Sequence, residues 1–420
     1  MALNRRQRAI LVGLSSRAAP RALVEEHLDE LSRLADTAGA EVAGRYVQSR
    51  TSPDPATFVG RGGVEEIAED LRKENAGLVI FDDELSPGQM RNLEEKWGDG
   101  VRVLDRPGLI LDVFALHARS REARTQVELA QLQYLLPRLA GRYTHLSRLG
   151  GGIGGRGAGE QKLELDRRRI RSRIAHLRRD LEGIETARSV RRKRRRRQFQ
   201  VAIAGYTNAG KTTLYNRLTL EAEYTADRLF ATLDARVARA RSRELPETIF
   251  IDTVGFVRKL PTTLVASFRS TLAEIREADL VLHVLDASSP SVDEERRVAV
   301  DLLQELGVEA GRLLPVWNKR DIARPPADGL CVSAKTGEGI DWLEAEIRRR
   351  AHPDAETFEL LIPYSSARSI ATARSRFRVL EETDQGDGLW MKLAGERSQL
   401  APLRQFVLKS SPGNRSAIAT

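Results

Sequence analysis

The segment from Gly205 to Thr212 has the residue types and the spacing of a phosphate-binding loop. An apolar run, VAIA, leads into Gly205-x4-Gly210-Lys211-Thr212, and a helical pattern follows. In that context the glycines let backbone N–H groups surround a phosphate, and the start of the helix favours anions. Lys211 is expected to contact the β- and γ-phosphates, and the Thr212 hydroxyl is expected to bind Mg²⁺.

Two further segments offer groups for Mg²⁺ and the γ-phosphate. Thr232, in LFATLD, has a hydroxyl and a backbone N–H, although an ordinary exposed threonine is the alternative. Asp252 follows the apolar run TIFI at the end of a predicted strand, where a carboxylate fits the Mg²⁺ shell. Gly255 completes the pattern DTVG and can offer an unobstructed N–H to the γ-phosphate. The predicted metal ligands are therefore Thr212, Thr232 and Asp252.

A base-recognition pattern lies further along the chain. The sequence NKRD, which ends at Asp321, follows the predicted strand LLPVW, and the sequence SAK, centred on Ala334, comes next. Asp321 can accept two hydrogen bonds from guanine N1 and N2, whereas adenine lacks that pair of donors. The Ala334 N–H can meet guanine O6. Together these motifs predict binding of GTP rather than ATP.

The predicted nucleotide site is assembled from five short segments that are far apart in the sequence. Each segment is expected to contact the phosphates, the metal ion or the base. The predicted GTP-binding residues are Gly205, Tyr206, Thr207, Asn208, Ala209, Gly210, Lys211, Thr212, Thr213, Phe230, Ala231, Thr232, Asp252, Thr253, Val254, Gly255, Asn318, Lys319, Asp321, Ser333, Ala334 and Lys335.

The sequence does not identify a catalytic base. Phe256 stands just after DTVG, where many GTPases carry a glutamine that orients the attacking water. A phenyl ring cannot hydrogen-bond to water, so Phe256 is interpreted as a hydrophobic switch residue and hydrolysis is expected to be slow without a partner. Arg258 is interpreted as a solvated switch arginine, with electrostatic help to catalysis as the alternative.

The positive charge of the chain is concentrated in one segment. The 420 residues carry a net charge of +9, while residues 167–197 contain fifteen Lys or Arg and three Asp or Glu, a net of +12. The rest of the chain therefore sums to −3. This pattern favours a polyanionic partner such as nucleic acid, although a solvated helix face is the ordinary alternative.

Composition excludes several classes of protein. A single cysteine, Cys331, excludes an internal disulfide and a cysteine-based metal cluster, and it fits a reducing cytosol. No apolar run approaches the roughly 20 residues that a membrane-spanning helix needs. We therefore expect a cytoplasmic protein with no transmembrane segment.

Hydrophobic periodicity predicts an α/β fold with four domains. These are an N-terminal α/β domain (1–115), a coiled-coil helical hairpin (116–197), a P-loop GTPase domain with a parallel sheet (198–352) and a small α+β C-terminal domain (353–420). Strand–helix alternation in the first and third segments implies parallel sheets. The predicted strands are Ala9–Leu14, Glu41–Gln48, Gly77–Phe81, Val101–Leu104, Gln200–Ala204, Thr248–Ile251, Leu280–Asp286, Leu313–Trp317, Phe358–Ile362 and Leu389–Leu393. The predicted helices outside the hairpin are Pro20–Ala38, Gly63–Asn75, Pro87–Trp97, Pro107–His117 and Gln399–Leu408.

Two stripes with heptad spacing predict the hairpin. They consist of Leu129, Leu132, Leu136, Leu139, Tyr143 and Leu146, and of Ile170, Ile174, Leu177, Leu181 and Ile184. Helices of this kind joined by a loop form an antiparallel pair, and Pro137 is expected to kink the first. The loop 150–159, GGGIGGRGAG, contains seven glycines. It is interpreted either as a flexible hinge or as a tip whose bare backbone approaches a phosphate-rich surface, with Arg156 adding charge.

These motifs together resemble the HflX family of bacterial GTPases over nearly the whole chain. The resemblance rests on GYTNAGKTT, LFATLD, DTVGF and QVELAQLQYLLPRL, and on GGGIGGRGAGE followed by a basic helix. It implies binding to the large (50S) ribosomal subunit, with the glycine loop reaching toward the peptidyl-transferase region. It also implies that the protein splits or rescues stalled 70S ribosomes, notably under stress, and hydrolyses GTP with Mg²⁺ as cofactor.

The resemblance and the charge pattern together suggest a set of rRNA-binding residues. RNA is recognised largely by shape and backbone, so a basic rod needs no base-specific motif. The suggested residues are Gly151, Gly152, Arg156, Arg191, Arg192, Arg194 and Arg195.

The chain departs from the family pattern at two places. The turn from Gly60 to Gly63 lacks the lysine of the usual GxGK turn, which puts ATP binding by the N-terminal domain in doubt. Gly155 stands where a hydroxyl residue is common, which is expected only to loosen the tip.

Two other classes of function remain open from the residues alone. One is a signalling or membrane-associated GTPase whose basic hairpin binds a protein partner. The other is a GTP-gated scaffold without turnover, which Phe256 keeps possible. A monomer is expected.

Overall fold

The computed structural model of the chain describes residues 7–98, 100–142, 158–195, 198–220, 230, 235–245, 247–259, 269–323, 329–352 and 355–412. Three separate sheets follow one another along the chain, and a pair of long helices lies between the first and the second. Within these residues, no helix combines the length and the apolar character needed to cross a bilayer.

The first sheet is parallel and has helices on both faces. Its strands are β1 (Arg8–Ser15), β2 (Glu41–Ser49), β3 (Leu78–Phe81) and β4 (Arg102–Asp105). They lie in the order β2-β1-β3-β4. The helices are α1 (Arg21–Thr37), α2 (Arg61–Lys73), α3 (Pro87–Trp97) and α4 (Arg106–His117). Every predicted strand of this region is confirmed to within one residue, because strand–helix alternation is a strong local signal.

Side-chain alternation explains how both faces of this sheet are buried. Even-numbered residues of β1, such as Ile10 and Val12, pack in one apolar cluster with α2 and α3. Odd-numbered residues, such as Ala9 and Leu11, pack in another with α1 and α4. Successive strand residues point to opposite faces, so a continuously apolar strand is what a two-sided parallel sheet requires.

The two long helices are α5 (Arg121–Arg142) and α6 (Ala158–Arg195). Their predicted stripes meet in a cluster: Leu129, Ile174 and Leu177 are buried, and Leu132, Leu136, Ile170 and Leu181 pack around them. Glu128 and Arg173 form a two-pronged hydrogen-bonded ion pair between the helices, at 2.7 and 2.8 Å. The predicted packing is therefore confirmed for these seven residues of the two stripes. Pro137 lies inside α5.

Part of the predicted hairpin lies outside the described residues. This applies to Tyr143 and Leu146 and to most of the glycine loop, including Gly151, Gly152 and Arg156. Arg191, Arg192, Arg194 and Arg195 belong to the last turns of α6, whose backbone is described.

The second sheet has six strands and carries the predicted nucleotide motifs at its edge. The strands are β5 (Phe199–Gly205), β6 (Arg236–Arg239), β7 (Thr248–Asp252), β8 (Leu280–Asp286), β9 (Leu313–Asn318) and β10 (Leu330–Cys331). Their order is β10-β9-β8-β5-β7-β6, parallel except for β6 against β7. The helices are α7 (Lys211–Leu218), α8 (Arg269–Glu277), α9 (Val292–Glu305) and α10 (Ile340–Ala351). The carboxyl ends of parallel strands meet at one edge, which brings distant motifs together.

The third sheet is antiparallel. It contains β11 (Ala355–Pro363), β12 (Arg378–Asp384), β13 (Gly388–Glu396) and β14 (Val407–Pro412), in the order β12-β13-β11-β14, with α11 (Ala367–Arg376) against it. The helix predicted over Gln399–Leu408 is confirmed for its first eight residues: Arg397–Phe406 form a helix of the 3₁₀ type, and β14 begins at Val407. Pro402 lies inside that segment and lacks the N–H that an α-helix interior requires.

The first and second sheets share one apolar core. The α1 and α4 face of the first sheet and the Val254–Val257 segment after β7 belong to the same buried cluster. The N-terminal elements therefore pack directly against the segment that carries DTVGF.

Candidate nucleotide site

The phosphate loop connects β5 to α7 and depends on unusual backbone conformations. Gly205 and Gly210 have φ values of +148° and +86°. A Cβ at Gly205 would collide with the Val284 carbonyl, and a Cβ at Gly210 would collide with the Asn318 amide. Asn208 has a φ of +63°, a region that asparagine tolerates better than most residues. Glycine is therefore required at both ends of the loop.

Lys211 is the first residue of α7 and is buried beneath the loop. Its Nζ donates a hydrogen bond to the Tyr206 carbonyl over 2.5 Å. Desolvation by burial lowers the pKa of Lys211 to about 8, opposed by the charge of Asp252. A buried ammonium held by one carbonyl is suited to a polyphosphate, whose negative charge would offset the cost of burial.

Thr212 and Asp252 bring two oxygen groups together beside Lys211. The Thr212 Oγ1 donates to Asp252 Oδ2 over 3.0 Å, and Asp252 is fully buried at the end of β7. A hydroxyl and a carboxylate are hard oxygen donors of the kind that Mg²⁺ takes alongside water and phosphate. These two residues fit the predicted metal site. The third predicted ligand, Thr232, lies outside the described residues, as does Ala231.

The segment after β7 lies against the phosphate loop. The Phe256 N–H donates to the Gly205 carbonyl over 3.0 Å, and the Phe256 carbonyl accepts from the Thr207 N–H over 2.8 Å. A Cβ at Gly255 would lie 2.7 Å from the Thr207 methyl and 3.0 Å from Lys211 Nζ. Only glycine allows so close an approach of the backbone to the loop.

Phe256 is buried and points into the core shared by the first two sheets. Its exposed fraction is 2%, and it packs in the cluster that includes Tyr206, Val254 and Phe114. This placement shows that the Phe256 side chain packs as an apolar core residue. Phe256 therefore offers no polar group to a water molecule at the phosphates.

Asn318 connects the phosphate loop to the SAK segment. Its Nδ2 donates to the Ala209 carbonyl over 2.8 Å, and its Oδ1 accepts from the Ala334 N–H over 2.9 Å. The Ala334 N–H, predicted to meet guanine O6, donates to Asn318 in this structure. Lys319 has a φ of +66° and its Nζ forms an ion pair with Asp286 over 2.6 Å.

Asp321 is exposed at the edge of the site. The Ser333 hydroxyl donates to Asp321 Oδ1 over 2.7 Å, and this hydrogen bond is the main reason that the pKa of Asp321 lies below its usual value. The carboxylate is thus held ionised and in position. NKRD and SAK, separated in sequence, form one hydrogen-bonded unit beside the phosphate loop.

Arg258 does not have the environment predicted for it. The expectation of a solvated arginine is wrong: it is 5% exposed, and its guanidinium pairs with Glu294 over 2.8 Å. Its backbone contacts Glu30 and Arg106 of the N-terminal elements. No local sequence pattern indicates these partners, because they lie 228 and 152 residues away in the chain.

Three protein-family models match successive parts of the chain between residues 25 and 319. Residues 25–115 match the model described as "GTP-binding GTPase N-terminal", and residues 117–195 match "GTP-binding GTPase Middle Region". Residues 200–319 match the model described as "50S ribosome-binding GTPase". The three matches follow the order of the first two sheets and the helical pair between them.

Curated relatives are similar over almost the full length. The GTPase HflX of Caldanaerobacter subterraneus is 44% identical over 96% of this chain and 94% of its own. The GTPase HflX of Escherichia coli is 42% identical over 89% of this chain and 88% of its own. Among solved structures, a GTP-binding protein from Sulfolobus solfataricus in complex with GDP covers 82% of this chain and 98% of its own, with 24% identity and a TM-score of 0.43. On the strength of the curated relatives, this chain belongs to the HflX family of GTPases and is a GTP hydrolase.

Proposed function

We propose that this GTPase binds the large (50S) ribosomal subunit and splits or rescues stalled 70S ribosomes, using the energy of GTP with Mg²⁺ as cofactor. The observation that carries the proposal is the union of a guanine-nucleotide site with a strongly basic helix, α6, in one chain. The family model over residues 200–319, described as a 50S ribosome-binding GTPase, supports the same partner.

The geometry of the site supports a specific set of proposed nucleotide contacts. Lys211 and the backbone of the phosphate loop bind the β- and γ-phosphates, and Gly255 approaches the γ-phosphate. Asp321 binds guanine N1 and N2, with Ser333 holding the carboxylate in place. Asn318 binds no phosphate in this scheme but fixes the two loops relative to each other.

Thr212 and Asp252 are the described residues that would hold Mg²⁺, and Thr232 is proposed to join them. Bound there, the ion would neutralise charge on the β- and γ-phosphates. Asp252 contributes a charge that is fully buried. A buried carboxylate interacts more strongly with a cation than an exposed one does, because water screens it less.

Catalysis is proposed to depend on the ribosome. The side chain of Phe256 is buried in the shared core and cannot orient water. It stands at the position where many GTPases carry the glutamine that does so. An RNA or protein group of the ribosome, or a rearranged switch segment, would have to order the attacking water. Turnover is therefore expected to be slow alone and faster with 50S subunits.

The hairpin is proposed as the rRNA-binding element. The surface of α6 carries many arginines, including Arg168, Arg171 and Arg178. In the sequence, the glycine loop leads into α6 and the second sheet follows it. The proposed rRNA contacts are Gly151, Gly152, Arg156, Arg191, Arg192, Arg194 and Arg195. Because the proposed partner is the ribosome, we place the protein in the cytoplasm, acting as a monomer with the four domains 1–115, 116–197, 198–352 and 353–420.

The direct test is GTP turnover with and without purified 50S subunits. We expect severalfold stimulation by the subunits. The matched control is Lys211→Ala, which removes the point charge at the phosphates and should show no turnover above background in either condition. This control distinguishes the GTPase activity of this chain from that of other GTPases that contaminate the ribosome preparation. Equal turnover with and without 50S subunits would contradict the proposal.

A further inference from the structure

Two adjacent residues at the end of β4 hold different parts of the molecule. Asp105 and Arg106 are both fully buried. Asp105 is the N-cap of α4 and accepts a hydrogen bond from the Gly108 N–H over 3.0 Å. Arg106 is the first residue of the same helix. Any movement of α4 therefore moves both side chains together.

Asp105 binds α5, the first helix of the hairpin. The Tyr134 hydroxyl of α5 donates to Asp105 Oδ1 over 2.6 Å, and the Arg138 guanidinium donates to Oδ2 over 3.1 Å. The Arg138 guanidinium also lies 3.7 Å from the centre of the Tyr134 ring. Burial raises the pKa of Tyr134, and the nearby Asp105 charge raises it further, so the hydroxyl keeps the proton that it donates.

Arg106 binds the segment that follows DTVGF. Its Nε donates to the Arg258 carbonyl over 3.2 Å, and its guanidinium pairs with Glu30 over 2.7 Å and with Asp82. Glu30 in turn accepts from the Arg258 N–H over 3.2 Å. One buried ion pair therefore holds the Arg258 backbone by both its carbonyl and its N–H.

The same ion pair reaches the phosphate loop. The second oxygen of Glu30 accepts a hydrogen bond from the Tyr206 hydroxyl over 2.9 Å. Tyr206 is the residue whose carbonyl holds Lys211. A displacement of Arg106 thus changes the support of a residue that contacts the buried lysine of the nucleotide site.

The other end of α4 contacts Phe230, the one described residue of LFATLD. Phe114 and Phe230 meet edge to face, with ring centres 4.6 Å apart and an interplanar angle of 85°. Both rings are buried in the shared core. A single short helix therefore contacts α5 of the hairpin, the segment that follows DTVGF, and Phe230 of LFATLD.

We propose that α4 couples the helical hairpin to the nucleotide site, so that binding at the hairpin and the state of the bound nucleotide influence each other. The inference rests on the proposed function, in which the hairpin binds the 50S subunit. Coupling of this kind needs packed elements with alternative arrangements, because close-packed cores shift in discrete steps rather than deform smoothly. Such coupling is also reciprocal. The factor by which the bound nucleotide changes the affinity of the hairpin for its partner equals the factor by which that partner changes the affinity for the nucleotide.

The test removes the hydrogen-bonding groups through which α5 contacts Asp105. The double variant Tyr134→Phe, Arg138→Met keeps both apolar stems but deletes the hydrogen bonds to Asp105. Glu128→Gln is the matched control, because Glu128 lies on the same helix and pairs with Arg173 of α6 across the hairpin rather than with α4. Circular dichroism and a cooperative unfolding transition check that each variant is folded.

The first readout is the ratio of 50S dissociation constants measured with GDP and with a non-hydrolysable GTP analogue. Couplings between sites typically amount to about 5–150-fold. We expect the ratio to fall at least about fivefold toward one in the double variant and to stay at the wild-type value in the control. Basal GTP turnover should change little. A wild-type ratio in the double variant would overturn the inference.

The second readout does not need the ribosome. In the GDP-bound protein, hydrogen exchange at the backbone amides of residues 255–259 should become severalfold faster in the double variant and remain unchanged in the control. Unchanged hydrogen exchange in the double variant would overturn the proposed coupling, regardless of the result of the 50S-binding measurement. If the wild-type protein does not bind 50S subunits with either nucleotide, the proposed function is contradicted. The hydrogen-exchange measurement then tests the coupling by itself.

Discussion

The side-chain amide of Asn318 donates to the carbonyl oxygen of Ala209 over 2.8 Å, which joins the base-recognition loop directly to the phosphate loop. The side-chain oxygen of Asn318, Oδ1, also accepts a hydrogen bond from the Ala334 N–H. All three residues are buried. The phosphate and base halves of the site are therefore one hydrogen-bonded unit, and its geometry depends on a residue that need not touch the nucleotide.

Asn318→Ala should weaken the binding of GDP and GTP together. The substitution leaves the buried Ala209 carbonyl and Ala334 N–H without this partner, and each unsatisfied buried group costs about 1–3 kcal/mol. We expect dissociation constants to rise roughly ten- to a hundredfold, measured by fluorescent-nucleotide titration. Asn92→Ala is the control, since Asn92 makes the same amide-to-carbonyl hydrogen bond, to Ala56, far from the site. Unchanged affinity in Asn318→Ala would show that the link is dispensable.

Asp321→Asn should reduce the preference for guanine over adenine. Replacing the carboxylate with an amide turns one of the two acceptors into a donor that opposes guanine N1 or N2. A charge-assisted hydrogen bond contributes about 1.5–3 kcal/mol, so GTP affinity should fall roughly ten- to a hundredfold. ATP affinity, measured in parallel, should change little. Equal losses for both nucleotides would mean that Asp321 supports the loop rather than reads the base.

Sequence alone predicted the nucleotide motifs and most of the strands, because these signals are local. The phosphate loop needs glycine at fixed positions and a lysine beside them, and the structure shows the collisions that any other residue would cause at Gly205 and Gly210. The heptad stripes of α5 and α6 also carry their own periodicity. In each case the pattern and its physical cause lie within one segment.

The interface between the first two sheets could not be predicted in this way. Arg106 is completely buried, which is rare for arginine, and its partners are scattered over the chain. The sequence predicts a solvated Arg258, because a charged residue in a loop is usually exposed. At the C-terminal end, the apolar spacing over Gln399–Leu408 predicts a helix but does not distinguish a 3₁₀ helix from an α-helix. It also gives no signal for β14, which pairs with a strand far away in sequence.

His283 should make the protein sensitive to acid. It is 1% exposed on β8, and burial, aided by the charges of Arg296 and Lys211, lowers its pKa from 6.5 to about 4. The unfolded chain then binds the proton more readily than the folded one. The corresponding stability is complete above pH 6.5 and is lost as the pH falls through the window from 6.5 to about 4, by roughly 3 kcal/mol.

His283→Leu removes this titration. The free energy of unfolding in urea, measured from pH 7.5 to 4, should decline less steeply in the variant than in the wild type. His352→Leu, at an exposed position, is the control and should follow the wild-type profile. Parallel wild-type and His283→Leu profiles would show that this histidine does not contribute to the pH dependence.

Reversing Arg191, Arg192, Arg194 and Arg195 to glutamate should weaken 50S binding and flatten its salt dependence. Each phosphate contact that is lost reduces the slope of log affinity against log salt by somewhat under about one unit. Arg→Lys at the same four positions preserves the charge and should retain most of the binding. GTP affinity should change little in either variant. If the glutamate variant also loses GTP binding, these arginines join the hairpin to the second sheet instead of contacting RNA.

Sedimentation with purified 50S and 70S particles tests the central claim most directly. With a non-hydrolysable GTP analogue, the protein should move with the 50S subunit, and added 70S particles should be converted to subunits. With GDP, both effects should be weaker. A protein that stays at the top of the gradient with every nucleotide, and leaves the 70S peak intact, would contradict the account.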